Sequence, residues 1–178
     1  QFVKDISDVK SGTAMLLGPA LDPLRSSSIL KNLHTLHIRM KQHSKNAMYL
    51  AERFKEIGLK YNYPGMPAHK QHDLMKEMMN EQFGFGGMIA IDMETPERAA
   101  DLMEAMQLKN VGYHAVSLGY FKTLFSNSGK STSSEVPEEM QKEMGMSPGL
   151  IRFSVGLDND IEATYDLIKS CLDELQLL

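Results

Sequence analysis

The segment at 149–156 constrains the fold most, because it reads as a short strand with a glycine at each end. A strand places successive side chains on opposite faces of its sheet. The pattern therefore predicts one face turned toward an apolar core and an opposite face that carries an arginine. The alternating residues are Ile151, Phe153 and Val155 on the apolar face, and Arg152 and Ser154 on the polar face.

Arg152 is the best candidate in this chain for a fixed cation. A guanidinium on a rigid strand offers a planar set of donors that fits a carboxylate with two hydrogen bonds, which lysine cannot match. A second glycine-bounded segment of the same kind, Ala-Val-Ser-Leu-Gly, lies at 115–119. The alternative is a solvated or salt-bridged arginine on an exposed sheet face, and the spacing alone leaves both interpretations open.

The remaining pattern alternates helices with short strands. Apolar residues recur at three- and four-residue steps from Ile29 to Ile57, which predicts one long amphipathic helix that Gly58 ends. Further strands are predicted at 59–63, 87–93 and 111–117. Thr95-Pro96 predicts a helix start, and Asn159 with Glu162 predicts a capping box for the last helix. Short strands separated by helices indicate an α+β fold with helices on one face of the sheet.

Composition excludes several classes of protein. A length of 178 residues suits one domain, and the net charge of −4 without a basic cluster argues against nucleic-acid binding. A single cysteine, Cys171, indicates a reducing compartment. No apolar run reaches the length of a membrane span and no signal peptide is visible, so we expect a cytoplasmic protein. The chain begins at Gln1, which favours a piece of a longer protein.

Two motifs that suggest chemistry are weak. The histidine pairs at 34 and 37 and at 69 and 72 lack a third ligand nearby, so we expect no metal. The glycines at 84–87 precede a strand and do not join a strand to a helix, so they are not a phosphate loop. No nucleophile with a neighbouring base is apparent.

The loop at 126–134 is rich in serine and threonine. Small hydroxyl donors beside a strand could line a polar ligand pocket, with Ser131 and Thr132 as the pocket residues. A flexible connector has the same composition, so both interpretations stay open.

The chain resembles the C-terminal domain of the cystathionine and methionine lyase family, the pyridoxal-phosphate-dependent enzymes of sulfur amino-acid metabolism. The resemblance covers nearly the whole chain, including the start of the long helix. The motifs that carry it are Tyr-Pro-Gly-Met-Pro at 63–67, Gly-Phe-Gly-Gly-Met at 84–88, Val-Ser-Leu-Gly at 116–119, Val-Pro-Glu-Glu at 136–139 and Gly-Leu-Ile-Arg-Phe-Ser-Val-Gly at 149–156.

The resemblance implies roles for particular residues. Arg152 matches the family's arginine that binds the α-carboxylate of the substrate, Ser117 matches the serine that helps to place that carboxylate, and Leu118 matches the adjoining pocket wall. The cofactor lysine and the residues that bind the ring and phosphate have no match in this chain. The resemblance therefore implies no catalytic residue within this chain. We expect pyridoxal 5'-phosphate in the full-length enzyme, none bound to this fragment, and no activity of the fragment alone.

The resemblance also implies an architecture. It is an antiparallel sheet of about four short strands with helices on one face, as in the small C-terminal domain of fold-type I pyridoxal-phosphate enzymes. Residues 1–178 form this single domain, with 1–25 leading into it, and the N-terminal cofactor-binding domain is absent from the chain. The expected partners are that domain, a small sulfur amino acid and, at full length, further copies in a homo-tetramer, with no nucleic acid and no membrane.

The reaction stays open within the family. The nearest match is of the methionine γ-lyase type, with γ-elimination from methionine or cystathionine, while cystathionine β-lyase and γ-replacement synthase are alternatives. The loop at 127–133 differs from the family's usual histidine- and proline-containing loop, so it does not identify the substrate. A non-catalytic binding or oligomerisation module is the alternative from another class of protein.

Overall fold

The computed structural model describes residues 2–8, 12–13, 21–129 and 136–178. The chain divides into two compact units, Gln1–His37 and Ile38–Leu178. None of the helices in the described ranges is long and apolar enough to cross a membrane.

The first unit contains helices α1 (Phe2–Ser7) and α2 (Pro23–Leu33). The carboxylate of Asp22 caps α2 by accepting hydrogen bonds from the backbone N–H groups of Leu24 and Arg25, both at 3.0 Å. The prediction of one continuous helix from 29 to 57 is wrong, because a turn at 34–35 separates α2 from helix α3 (Leu36–Glu56). All residues of α2 are exposed, so α2 is not stabilised by burial in a core.

The second unit carries the sheet and the remaining helices. After α3 its elements are β1 (Tyr61–Asn62), α4 (His72–Met78), β2 (Met88–Asp92), α5 (Pro96–Leu108), β3 (Gly112–His114), β4 (Thr123–Asn127), α6 (Glu138–Glu143), β5 (Leu150–Ser154) and α7 (Ile161–Glu174). Gly58 with a φ of 72° follows α3, and Thr95 caps α5, as the sequence predicts.

The sheet has the strand order β1-β2-β5-β4-β3, so β5 lies at its centre. Three of the pairings are antiparallel, and β3 pairs with β4 in parallel. The α+β class is confirmed, and the sheet has five strands where about four were predicted, with one parallel pair in an otherwise antiparallel sheet. The missed strand is β4, whose five residues are all buried. A strand buried on both faces lacks the polar–apolar alternation that reveals strands in a sequence.

The core lies on one face of the sheet. Phe125 of β4 and Phe153 of β5 stack there with ring centroids 6.0 Å apart, and both side chains are fully buried. Helices α3, α5 and α7 contribute the other side of the same cluster. Each fully buried aliphatic or aromatic side chain contributes about 1.5–3 kcal/mol, so this packing fixes which face of β5 turns outward.

Two glycines bound β5, as the sequence predicts, and both are required by close backbone contacts. A Cβ at Gly149 would lie 2.5 Å from the backbone nitrogen of Thr95, and one at Gly156 would lie 2.6 Å from that of Thr123. Side chains cannot fit at either end of the strand. The central strand is thus held closely by the chain segments beside it.

Candidate carboxylate-binding site

Arg152 lies on the central strand, on the face opposite the core. Its neighbours in register are Ala90 on β2 and Ser126 on β4, two small residues that leave space for a long side chain along the sheet. The arginine is half-buried. The strand pattern therefore gives the guanidinium a rigid base and partial shielding from water.

The Arg152 guanidinium contacts the segment that precedes β4. Its Nη2 donates a hydrogen bond to the backbone carbonyl of Ser117 at 3.1 Å. Among the side chains that the structure describes, no carboxylate forms an ion pair with Arg152. A guanidinium has five N–H donors, so a single bond to a carbonyl leaves donors that can bind an anion.

A second side chain of β5 holds the same segment. The hydroxyl of Ser154 accepts a hydrogen bond from the backbone N–H of Gly119 at 3.1 Å. Gly119 has a φ of 68°, a conformation that favours glycine. Two alternate residues of β5 thus bind two alternate backbone groups, at Ser117 and at Gly119.

The structure brings Arg152 and Ser117 together, while Leu118 is 62% exposed between the two attachment points. Ser131 and Thr132, the predicted pocket residues, lie outside the described residues. Sequence reasoning missed Ser154 as a member of the site. The signal was present, because Ser154 follows Arg152 by two residues and so shares its face.

The first residues of the serine-rich loop belong to the sheet. Ser126 and Asn127 form the end of β4, and the N–H of Ser128 donates to the carbonyl of Leu150 at 2.8 Å. The Ser126 hydroxyl is buried beside Arg152 and has no hydrogen-bond partner among the described residues. A flexible connector therefore cannot begin at Ser126.

The histidine pair at 69 and 72 has structural contacts. The Nδ1 of His72 lies 2.9 Å from the carbonyl oxygen of Pro64, and its ring stacks on Phe85 with centroids 4.9 Å apart. The ring of His69 bonds to the side chain of Asn62. Within the described ranges, no group of three histidine, cysteine or acidic residues could hold a metal ion.

The described lysines do not suit a covalent cofactor site. A lysine that forms a Schiff base needs a lowered pKa, which desolvation or a neighbouring cation provides. Every lysine whose side chain the structure describes is exposed or half-buried. A hydrogen bond to Asp92 raises the pKa of Lys60, and one to Asp173 raises the pKa of Lys169. None of the described lysines therefore has the buried environment that suits attachment of pyridoxal phosphate, whereas the donors of Arg152 suit a carboxylate.

Comparison with known families shows which proteins this chain is related to. A family model described as Cys/Met metabolism PLP-dependent enzyme matches residues 3–173. The chain belongs to this family. The confirmed family is the one whose motifs the sequence analysis identified.

Relatives within the PLP-dependent family include enzymes of several names. Methionine gamma-lyase of Arabidopsis thaliana is 44% identical over 165 residues, covering 92% of this chain and 37% of that protein. Cystathionine beta-lyase of Coxiella burnetii is 33% identical over 155 residues, covering 85% of this chain and 38% of that protein. This chain therefore spans about two fifths of the length of these relatives.

Solved structures share the fold. A crystal structure of putative O-acetylhomoserine (thiol)-lyase from Campylobacter jejuni matches with a TM-score of 0.79 at 27% identity, covering 88% of this chain and 37% of that one. That structure carries N'-pyridoxyl-lysine-5'-monophosphate at its position 205. Cystathionine gamma-lyase from Lactobacillus plantarum, complexed with L-serine, matches with a TM-score of 0.72 at 28% identity, covering 89% and 41% of the two chains.

Proposed function

We propose that this chain is the substrate-side domain of a pyridoxal-phosphate-dependent lyase that cleaves C–S bonds of sulfur amino acids, and that Arg152 binds the α-carboxylate. The observation that carries the proposal is the placement of Arg152. It stands on the central strand, bonded to the Ser117 carbonyl, with no ion pair to a described carboxylate. A half-buried cation of this kind is suited to an anionic ligand.

The proposed site orients the substrate. A bidentate contact between the guanidinium and the carboxylate fixes rotation about the bond to the α-carbon, so that a proton can be removed in the geometry the reaction needs. The Ser117 carbonyl holds the guanidinium in place, and the exposed Leu118 forms the adjoining wall. Ser131 and Thr132 are the proposed pocket-loop residues.

Pyridoxal phosphate, when bound, supplies the electron sink for the carbanion at the α-carbon. We place its lysine in a cofactor-binding domain of the same protein, outside this chain. The exposed or half-buried state of the described lysines supports that placement. We also propose that the fragment alone is inactive, and that the full-length protein is a cytoplasmic homo-tetramer.

For the reaction we propose γ-elimination from methionine or cystathionine. The 44% identity to a methionine gamma-lyase supports this choice over the β-lyase, whose relative is 33% identical. With methionine and water, γ-elimination gives methanethiol, ammonia and 2-oxobutanoate. The γ-replacement reaction, the alternative, requires a second nucleophile such as cysteine or sulfide, so its product distinguishes it from elimination.

Product analysis tests this proposal. The full-length protein, loaded with cofactor, is incubated separately with methionine and with cystathionine, and the oxo acid is identified. We expect 2-oxobutanoate. Pyruvate from cystathionine would move the assignment to β-elimination. Efficient condensation of an activated homoserine with cysteine or sulfide, with only traces of oxo acid, would overturn the lyase assignment.

A further inference from the structure

We infer that Ser154 is a positioning residue for the carboxylate site, because its hydroxyl holds the backbone segment against which the Arg152 guanidinium is oriented. The inference rests on the proposed function of Arg152. It adds a residue that makes no contact with substrate and acts through the segment at 117–119.

Two hydrogen bonds from β5 side chains hold the same backbone segment. Arg152 binds the carbonyl of Ser117, and Ser154 binds the N–H of Gly119, each at 3.1 Å. Both side chains come from the central strand at alternate positions. Ser154 is only 4% exposed and lies in register with Met88 and Leu124 on the two flanking strands. The Ser154 hydroxyl is therefore held in one position by the strands on both sides.

The segment needs such attachment because its own side chains do not hold it. Val116 is 60% exposed and Leu118 is 62% exposed, so little apolar packing contributes. Within the described part of the chain, these two side-chain contacts are the hydrogen bonds made by residues 116–119. Loss of the bond to Ser154 would let the Ser117 carbonyl move, and the guanidinium would lose its fixed direction.

The chain offers a matched control. Ser44 on α3 is also a buried serine whose hydroxyl accepts a hydrogen bond from a backbone N–H, that of Gly86 at 3.1 Å, and it is not part of the candidate site. Replacing Ser44 with alanine removes the same atom and the same kind of hydrogen bond without touching the segment at 117–119. A general effect of losing a buried hydroxyl would appear in both variants, whereas a positioning effect would appear only at Ser154.

The test uses the full-length holoenzyme in a double-mutant cycle. Ser154→Ala is expected to raise KM for the amino-acid substrate about three- to tenfold, as loss of one hydrogen bond predicts, with a smaller change in kcat. Ser44→Ala should leave KM unchanged. In an Arg152→Ala background, Ser154→Ala should have no further effect on KM, because the residue acts through the arginine.

Hydrogen exchange measures the bond between Ser154 and the Gly119 amide directly. The Gly119 amide should be protected from hydrogen exchange in the wild-type holoenzyme and should exchange faster in Ser154→Ala, with no change in Ser44→Ala. If the Ser154 variant does not fold, the wild-type protection alone decides, and an unprotected Gly119 amide overturns the inference.

The outcomes separate the two proposals. Equal effects of the two serine variants, or additive effects of Ser154→Ala and Arg152→Ala, would overturn the role of Ser154 while leaving that of Arg152. An Arg152→Ala enzyme with unchanged KM and kcat would instead refute the proposed function itself.

Discussion

Asn46 of α3 offers a sharp test of how the strand that carries Arg152 is fixed. The side chain is 1% exposed. Its Nδ2 donates to the carbonyls of Gly156 at 3.0 Å and Asp158 at 2.8 Å, both just beyond β5. Its Oδ1 accepts from Nε2 of Gln42 at 2.8 Å. Asn46→Ala removes all three bonds without changing the charge.

The expected cost follows from the burial of the acceptors. A buried acceptor left without a partner costs about 1–3 kcal/mol, and the Gly156 carbonyl is in that position. The bond to the half-buried Asp158 carbonyl adds about 0.5–1.5 kcal/mol. We therefore expect Asn46→Ala to lower the free energy of unfolding by about 2–4 kcal/mol.

Urea denaturation followed by circular dichroism measures this loss. Asn159→Ala, an exposed position before α7, is the control and should change the unfolding free energy by less than about 0.5 kcal/mol. Asn46→Asp should be less stable at pH 7 than at pH 4, because an ionised carboxylate would face two carbonyl oxygens. An Asn46→Ala protein as stable as the control would refute the reasoning.

Two further predictions concern buried titratable groups. Burial raises the pKa of Tyr63 to about 12, and its hydroxyl donates to the Gly86 carbonyl at 2.9 Å. A folded pKa above the unfolded value means stability that is complete below about pH 10 and is lost as the pH rises toward 12. Tyr63→Phe should lower the free energy of unfolding by about 1 kcal/mol at pH 8, because this hydrogen bond is lost. In urea denaturation between pH 10 and 12, the stability of the variant should fall less steeply than that of the wild type, and parallel slopes would contradict this. Burial also raises the pKa of the Cys171 thiol. Iodoacetamide at pH 8 should therefore label Cys171 slowly in the native protein and rapidly in urea. Fast labelling of the native protein would show that the core around α7 is open.

The parts of the fold that follow a simple period could be predicted from the sequence. The alternation in β5 correctly places Ile151 and Phe153 in the core, with Arg152 on the opposite face. Strand β4 could not be found this way, because burial of all its residues removes the alternation. At the last helix the cap is Asp160, whose carboxylate accepts from Ala163 N–H, and not the predicted Asn159. Two adjacent residues can both cap, and tertiary packing chooses between them.

Two residues of the candidate site could be predicted from the sequence, but the contacts between its residues could not. Arg152 and Ser117 were both named, but their link runs through the backbone carbonyl of Ser117, which no side-chain pattern reveals. The bond between Ser154 and the Gly119 N–H joins positions 35 residues apart in the sequence. Such contacts depend on how the segment after β3 folds back over the sheet. Spacing along the chain carries no information about that path.

The central claim is that Arg152 recognises the carboxylate of the substrate. Competitive inhibition of the full-length holoenzyme by L-norleucine and by n-pentylamine, the same molecule without its carboxylate, tests this claim directly. We expect Arg152→Ala to weaken the binding free energy of norleucine by about 2–4 kcal/mol, with partial recovery in Arg152→Lys. The binding free energy of pentylamine should change by less than about 0.5 kcal/mol. Arg53→Ala, on the remote face of α3, serves as the control. Equal losses for both inhibitors in Arg152→Ala, or no loss for norleucine, would contradict the account.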